Sequence, residues 1–221
     1  MESASPKQSL SEEAYSEIRR ALLRGDLEPG QRLSEPELAL KFKTSRSPIR
    51  EALMRLEHEG FVERLPNGRL RVAALDIRDL EQLYVVRANV EGLAARLATP
   101  LLRTVDLECM AASVEEMERW VKKRNAPSAI AAGEAFHDVI ARECGNQPLV
   151  DLLERLRARI SRFRALVASF DDYDPDRVAE HRRILKAFYQ RNAEQAETEM
   201  VRHVQRSAAV LVSRLRQRRS K

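Results

Sequence analysis

Residues 34–68 read SEPELALKFKTSRSPIREALMRLEHEGFVERLPNG, and the fold is decided in this stretch. Ser34 stands at a helix N-cap position, and Glu37, three residues on, completes a capping box. Leu38 and Phe42 give that short helix an apolar face. After Lys43-Thr44 a second cap is expected at Ser45, followed by Arg46, Ser47, Pro48 and Arg50. Pro48 is tolerated there because the first turn of a helix has no internal partner for the missing N–H. Leu53, Leu56 and the stop at Gly60 define the rest of this second helix. Its opening turn carries Arg46 and Arg50 on the side opposite the leucines, which is how a recognition helix presents side chains to base edges.

Upstream, a helix is expected from near Ser9, with Glu12 completing a capping box, to Arg24, and residues 1–8 are expected to be disordered. Leu10, Ala14, Ile18 and Leu22 recur every four residues as its buried stripe. Gly25 and Pro29-Gly30 break the chain before the next helix. Downstream, 61–65 and 70–74 have short strand patterns flanking Pro66-Asn67-Gly68-Arg69, a loop supplied with Asn-Gly. Three helices and a hairpin make residues 9–75 a winged helix-turn-helix domain.

From residue 76 to 216 the pattern is helix after helix, with Asp76 or a neighbour as the first cap. Breaks fall at Thr99-Pro100, near Asn125–Pro127, at Gly145–Pro148, at Asp171–Pro175 and at Asn192, leaving about six segments of ordinary length. Leu80, Leu83, Tyr84, Val90, Leu93, Ala94 and Leu97 give the first segment a broad apolar face. Such segments joined by short loops form an antiparallel bundle. The fold class is therefore mostly α: a winged helix-turn-helix, an all-α bundle over 76–216 and a basic tail at 217–221.

Composition agrees and narrows the class. The chain has 221 residues, with 7 Gly and 5% aromatics, a balance that favours helices over sheets. No apolar run approaches the roughly 20 residues that cross a membrane, and no signal peptide is evident, so no membrane association is expected. Cys109 and Cys144 form no disulfide or metal pattern, which makes the cytoplasm the expected compartment. The net charge of +5 resides in the last eight residues, RLRQRRSK, which carry no acid. The more telling feature is local: Lys41, Lys43, Arg46 and Arg50 fall in ten residues without an acid, at a helix start.

The four histidines divide sharply. His58 lies near the exposed end of the recognition helix. The other three sit on separate bundle helices at positions the apolar stripe turns inward. His137 follows Ile130 by seven and Glu134 by three; His181 follows Val178 by three; His203 follows Met200 by three. Two readings stand side by side. Each ring is satisfied locally in the core, or the three share a metal ion that satisfies one nitrogen of each. Glu134, one turn before His137, is the nearest carboxylate along that helix.

The chain resembles the GntR family of bacterial transcription regulators, in its FadR-type subgroup with an FCD effector domain. The resemblance is carried by LEPGQRLSEPELA (27–39), SRSPIREALMRLEHEGFV (45–62), YVVRANVEGLAARLA (84–98), FHDVIARECGNQPL (136–149), EHRRILKAF (180–188) and MVRHV (200–204). It implies a homodimer on a palindromic double-stranded DNA operator, most simply a repressor, whose grip changes when a small metabolite enters the bundle. Ser45, Arg46, Ser47 and Arg50 match its DNA-contacting positions, and Asn67, Gly68 and Arg69 match a wing tip that reaches the minor groove. Arg suits guanine O6 and N7, and a helix N-terminus suits phosphate. The alternative for Arg50 is a salt bridge to Glu51 or Glu35.

The resemblance implies a metal site as well. Metal-binding members place three histidines where His137, His181 and His203 stand, and an Asp where this chain has Gly133. With that Asp missing, Glu134 or water supplies the fourth ligand, or the bundle takes its effector without a tight metal. Three His suit Zn²⁺ or Ni²⁺, with positions open for an effector oxygen. Arg87 matches a cavity-facing position that would clamp the carboxylate of an organic acid; an intrahelical pair with Glu91 is its alternative. A second departure is Lys43-Thr44 in place of the family's Gly-Val. It asks Lys43 to take a left-handed backbone at a cost of about 1 kcal/mol, and offers a phosphate contact in return. Two other functions compete with the regulator: a metal-dependent enzyme using the three His, and an architectural DNA-binding protein without effector.

Overall fold

The computed structural model describes residues 6–165 and 176–219. The expected break at Asp171–Pro175, residues 1–5 and residues 220–221 of the expected tail lie outside the described residues. The chain divides into two compact units, one of residues up to Asp76 with Ala158–Leu166, the other holding the remainder.

The first unit opens with α1 (Pro6–Arg24), β1 (Arg32–Leu33), α2 (Glu35–Lys41) and α3 (Arg46–His58), followed by β2 (Val62–Arg64) and β3 (Leu70–Val72). The helix starts at Pro6, so Ser9 lies inside α1 and is not its cap. The buried stripe of α1 is Ala14, Ile18 and Ala21, and Leu10 is exposed, because a helix turns 3.6 residues and a strict four-residue repeat drifts off one face. Ser34 and Ser45 occupy the N-cap positions of α2 and α3, yet neither side chain makes a capping hydrogen bond. Ile18, Ile49, Leu53, Leu56 and Phe61 are fully buried where α1, α3 and the hairpin meet.

β1 was not anticipated, since two residues are too few to show a period. It pairs antiparallel with β3, giving the order β1-β3-β2, with Leu33 opposite Leu70 and Val62 opposite Val72. The hairpin loop closes through Gly68 N–H to the Leu65 carbonyl at 2.8 Å and Leu65 N–H to the Arg69 carbonyl at 2.8 Å. Gly68 has φ +77°, a left-handed conformation that glycine takes without steric cost.

Among the described residues the regular structure from Ile77 onward is helical: α4 (Ile77–Ala98), α5 (Thr104–Lys122), α6 (Ala126–Glu143), α7 (Gln147–Ala165), α8 (Arg177–Tyr189) and α9 (Ala193–Arg219). Because α9 runs on to Arg219, residues 217–219 continue the last helix and are not a separate tail. From Ala158 onward α7 groups with the first unit, where Arg162 donates to the carbonyls of Gly60, at 2.5 Å, and Ala73.

The buried face of α4 differs from the apolar reading in one telling way. Leu80, Leu83, Tyr84 and Ala94 are buried as expected, but Leu93 is 42% exposed while Arg87 and Glu91 are 4% and 2% exposed. A charged pair one turn apart has taken core positions that the pattern assigned to leucine and valine. Beside it, Gly92 lets α9 approach closely: a Cβ there would lie 2.6 Å from Val201 Cγ2.

Candidate functional site

The opening turn of α3 is basic and open. Ser45, Arg46, Ser47 and Arg50 are all exposed, because Ile49, Ala52, Leu53 and Leu56 take the opposite side into the core. Among the described residues the hydroxyls of Ser45 and Ser47 make no hydrogen bond, so they and the N-terminal amides of α3 are available to an anion. Lys43, in the turn before it, has φ +51°, the left-handed conformation that its place in the turn demands.

Arg50 is not idle. Its Nε donates to Glu35 Oε1 at 3.0 Å and its Nη2 donates to Glu35 Oε2 at 2.9 Å, a two-pronged pair from α3 to the start of α2. Of the two partners considered for a salt bridge, Glu35 is the one found. The Arg50 hydrogen bond holds the Glu35 carboxyl below its usual range, with longer-range help from Arg46 and Arg64. In the wing, Arg64 is spent internally: it grips Glu57 of α3 at 2.6 Å and donates to the Gly68 carbonyl at 3.2 Å. The Asn67 side chain accepts from Arg69 N–H at 3.1 Å, which shapes the tip and leaves the Arg69 side chain exposed.

In the second unit three helices bring their histidines together. The ligand atoms of His137 (α6), His181 (α8) and His203 (α9) lie within 4.8 Å of one another, and all three residues are buried. Ring centroids are 5.3 Å apart for His137 and His181, 5.2 Å for His137 and His203, and 4.5 Å for His181 and His203.

Each ring has its Nδ1 engaged from outside the cluster. His181 Nδ1 faces the Arg177 carbonyl at 2.8 Å, and His203 Nδ1 faces Glu180 Oε2 at 2.7 Å. His137 Nδ1 lies 2.7 Å from Glu91 Oε2, so the carboxylate faces this nitrogen from outside the cluster. What remains to face the centre is Nε2 of each ring, and His181 Nε2 is fully buried with no partner. Burial holds all three imidazoles below the ordinary His range, His181 at about 3, so each keeps a lone pair to offer. An unpartnered buried nitrogen, three neutral rings and outer groups that orient them make a donor set that fits a metal ion.

The acid partners were missed by the sequence reading. Glu91 is bridged to Arg87, whose Nε donates to Glu91 Oε1 at 2.7 Å, with Arg157 at 4.0 Å. Burial alone would raise the Glu91 carboxyl, but Arg87 and then His137 outweigh it and hold it well below the carboxylate range. Glu180 is likewise buried, with Arg206 Nε 3.2 Å away. The one available signal was the i, i+4 spacing of Arg87 and Glu91. Glu180, next to His181 in the sequence, gave none.

Two expected residues stand elsewhere. Glu134 is exposed and does not join the three histidines, because the cluster side of α6 is occupied by Gly133, Phe136 and His137. Arg87 takes the alternative read for it, the pair with Glu91. At Gly133 a Cβ would lie 3.7 Å from His181 Nε2 and 3.1 Å from Met117 Cε, so a side chain at this position points into the cluster.

Residues 10–72 match the family described as bacterial regulatory proteins, gntR family, and residues 82–206 match the FCD domain. The chain is 28% identical over 190 residues to an uncharacterized HTH-type transcriptional regulator, YdhC, of Bacillus subtilis, covering 86% of this chain and 85% of that protein. It is 24% identical over 202 residues to the HTH-type transcriptional repressor RspR of Escherichia coli, covering 90% and 88%. Among solved structures it superposes on E. coli McbR/YncC with a TM-score of 0.75 at 22% identity, over 93% of this chain and 98% of that one, a likeness of fold.

Proposed function

The chain belongs to the gntR family of bacterial regulatory proteins and carries an FCD domain, and from that premise we propose a repressor whose grip on DNA is set by an organic acid bound beside a metal ion. That it is a DNA-binding transcription regulator with an effector-binding domain, and not an enzyme, follows from its family and relatives. The repressor sign is supported by the repressor among those relatives. Residues 9–75 then bind DNA, and 76–216 bind the effector and join two copies on a palindromic duplex in the cytoplasm.

In this reading Arg46 and Arg50 meet base edges, Ser45 and Ser47 with the α3 amides and Lys43 meet phosphates, and Asn67, Gly68 and Arg69 enter the adjacent minor groove. His137, His181 and His203 hold Zn²⁺ or Ni²⁺ through Nε2. When bound, such an ion supplies a Lewis-acid point for an anionic oxygen. Glu91 and Glu180 orient two of the rings. Gly133 withholds a fourth protein ligand, and with Glu134 exposed that place falls to water or to the effector. Arg87 is buried beside the cluster and bridged to Glu91 through Nε and Nη2, which leaves Nη1 to meet an effector carboxylate.

The observation that carries the effector site is His181 Nε2, buried without a hydrogen-bond partner among the described residues and grouped with His137 and His203. Elemental analysis of the purified chain tests it. About one ion per chain is expected, lost in His181→Ala without loss of fold. A chain that never binds metal yet still answers an organic acid would remove the ion from the account.

A further inference from the structure

Arg50 offers two edges, and only one is occupied. Glu35 takes the side edge, Nε and Nη2, with both carboxylate oxygens. The end edge, Nη1 with the outer hydrogen of Nη2, has no partner among the described residues, and the Arg50 side chain is 63% exposed. That edge presents two parallel N–H groups, the match for the O6 and N7 acceptors of guanine.

The carboxylate does more than occupy space. A free arginine has rotamer entropy that it must lose on binding, and a two-pronged partner removes much of that freedom beforehand. The partner is itself held: Glu35 is the first residue of α2 and only 28% exposed, with Arg46 and Arg64 also attracting it. A negative group beside Arg50 also repels phosphate. It turns this arginine from a general backbone grip towards a base edge, whereas Arg46, with no ion pair among the described residues, can serve either.

We infer that Glu35 is a positioning residue for sequence reading: it holds the side edge of Arg50 so that the end edge reads one guanine. This rests on α3 being the recognition helix, as proposed above, and names the residue that makes its reading selective.

The test uses the full-length chain. A randomised duplex library selected on the wild type defines its preferred site, and binding is then measured on that duplex, on every single-base-pair variant and on an unrelated duplex. Arg50→Ala should lose about tenfold discrimination at one G·C pair in each half-site. Glu35→Gln keeps the shape and removes the charge, and should lose a similar factor at the same pair and nowhere else, with binding to unrelated duplex equal or tighter. The double variant should be no worse at that pair than Arg50→Ala alone. If Arg50→Ala loses discrimination and Glu35→Gln does not, the positioning role is wrong and the recognition helix stands. If Glu35→Gln tightens every duplex alike, the carboxylate is a restraint that DNA must break, which also overturns the inference. If Arg50→Ala changes nothing, both ideas fall. Glu35→Asp, one methylene short of the span, provides a second reading should the glutamine variant fold poorly.

Discussion

Glu91 Oε2 sits 2.7 Å from His137 Nδ1 with both side chains buried, and the same carboxylate is held on its other side by Arg87 at 2.7 Å. One acid thus ties a candidate metal ligand to a candidate effector clamp. Leaving two such charges underground is costly unless each is paired, so this bridge has a role in the bundle beyond packing.

Glu91→Gln tests the bridge. The neutral amide keeps the size of the side chain but loses the charge that fixes the His137 tautomer. Metal affinity, measured by competition with a chromogenic chelator, should weaken about 10–100-fold, the usual cost of removing an outer partner. Unchanged affinity would mean that Glu91 serves Arg87 alone.

Gly133→Asp should move metal affinity the other way. The new carboxylate starts from a Cβ 3.7 Å from His181 Nε2, and the contact at 3.1 Å is with the flexible end of Met117. A fourth, anionic ligand should raise retention of Zn²⁺ in the same chelator assay by at least about tenfold, or roughly 1.4 kcal/mol. Equal or weaker retention would show that the open position does not face the ion.

Acid should destabilise the metal-free bundle. His181 is held at about 3, by burial first and by neighbouring His137 second, whereas unfolded His titrates near 6.5. Between those values the unfolded chain binds a proton that the folded chain refuses, so stability falls as pH drops from about 6.5 towards 3, by up to about 1.4 kcal/mol per pH unit for this group. His137 and His203, also lowered by burial, add in the same direction. Melting of chelator-treated protein across this window should show the decline, and His181→Phe should flatten it by about one proton. A pH-independent melting point would contradict the buried neutral cluster.

Gly92→Ala should destabilise the second unit by about 1–3 kcal/mol, because the added methyl lies 2.6 Å from Val201 Cγ2. Denaturant unfolding measures this directly. An unchanged midpoint would mean that α4 and α9 can separate without cost.

The winged unit was legible because its signals are local. Gly60 and Gly68 stop a helix and turn a hairpin through positive φ, and Lys43 is strained where the spacing required it. The helix breaks within the described bundle were legible for the same reason. The site was legible only in its ligands: His137, His181 and His203 stood on inward stripes and do converge. Glu91 was legible only as a partner for Arg87, and Glu180 not at all, because only three-dimensional pairing makes a buried carboxylate tolerable and local spacing does not show it. Glu134 misled for the converse reason: three residues from His137, it lies about 60° round the helix, far enough to leave the cluster face. Arg50 and Glu35 are 15 residues apart on different helices, a pairing no local rule selects.

The central claim is that the opening turn of α3 reads DNA sequence. It is tested most directly by the equilibrium binding of full-length wild type and Arg46→Ala to the selected duplex and to unrelated duplex, across a salt series. The account predicts that wild-type affinity falls steeply and linearly in log salt, and that Arg46→Ala loses its preference for the selected duplex while remaining folded. Wild-type sequence preference retained in Arg46→Ala, or affinity indifferent to salt, would contradict it.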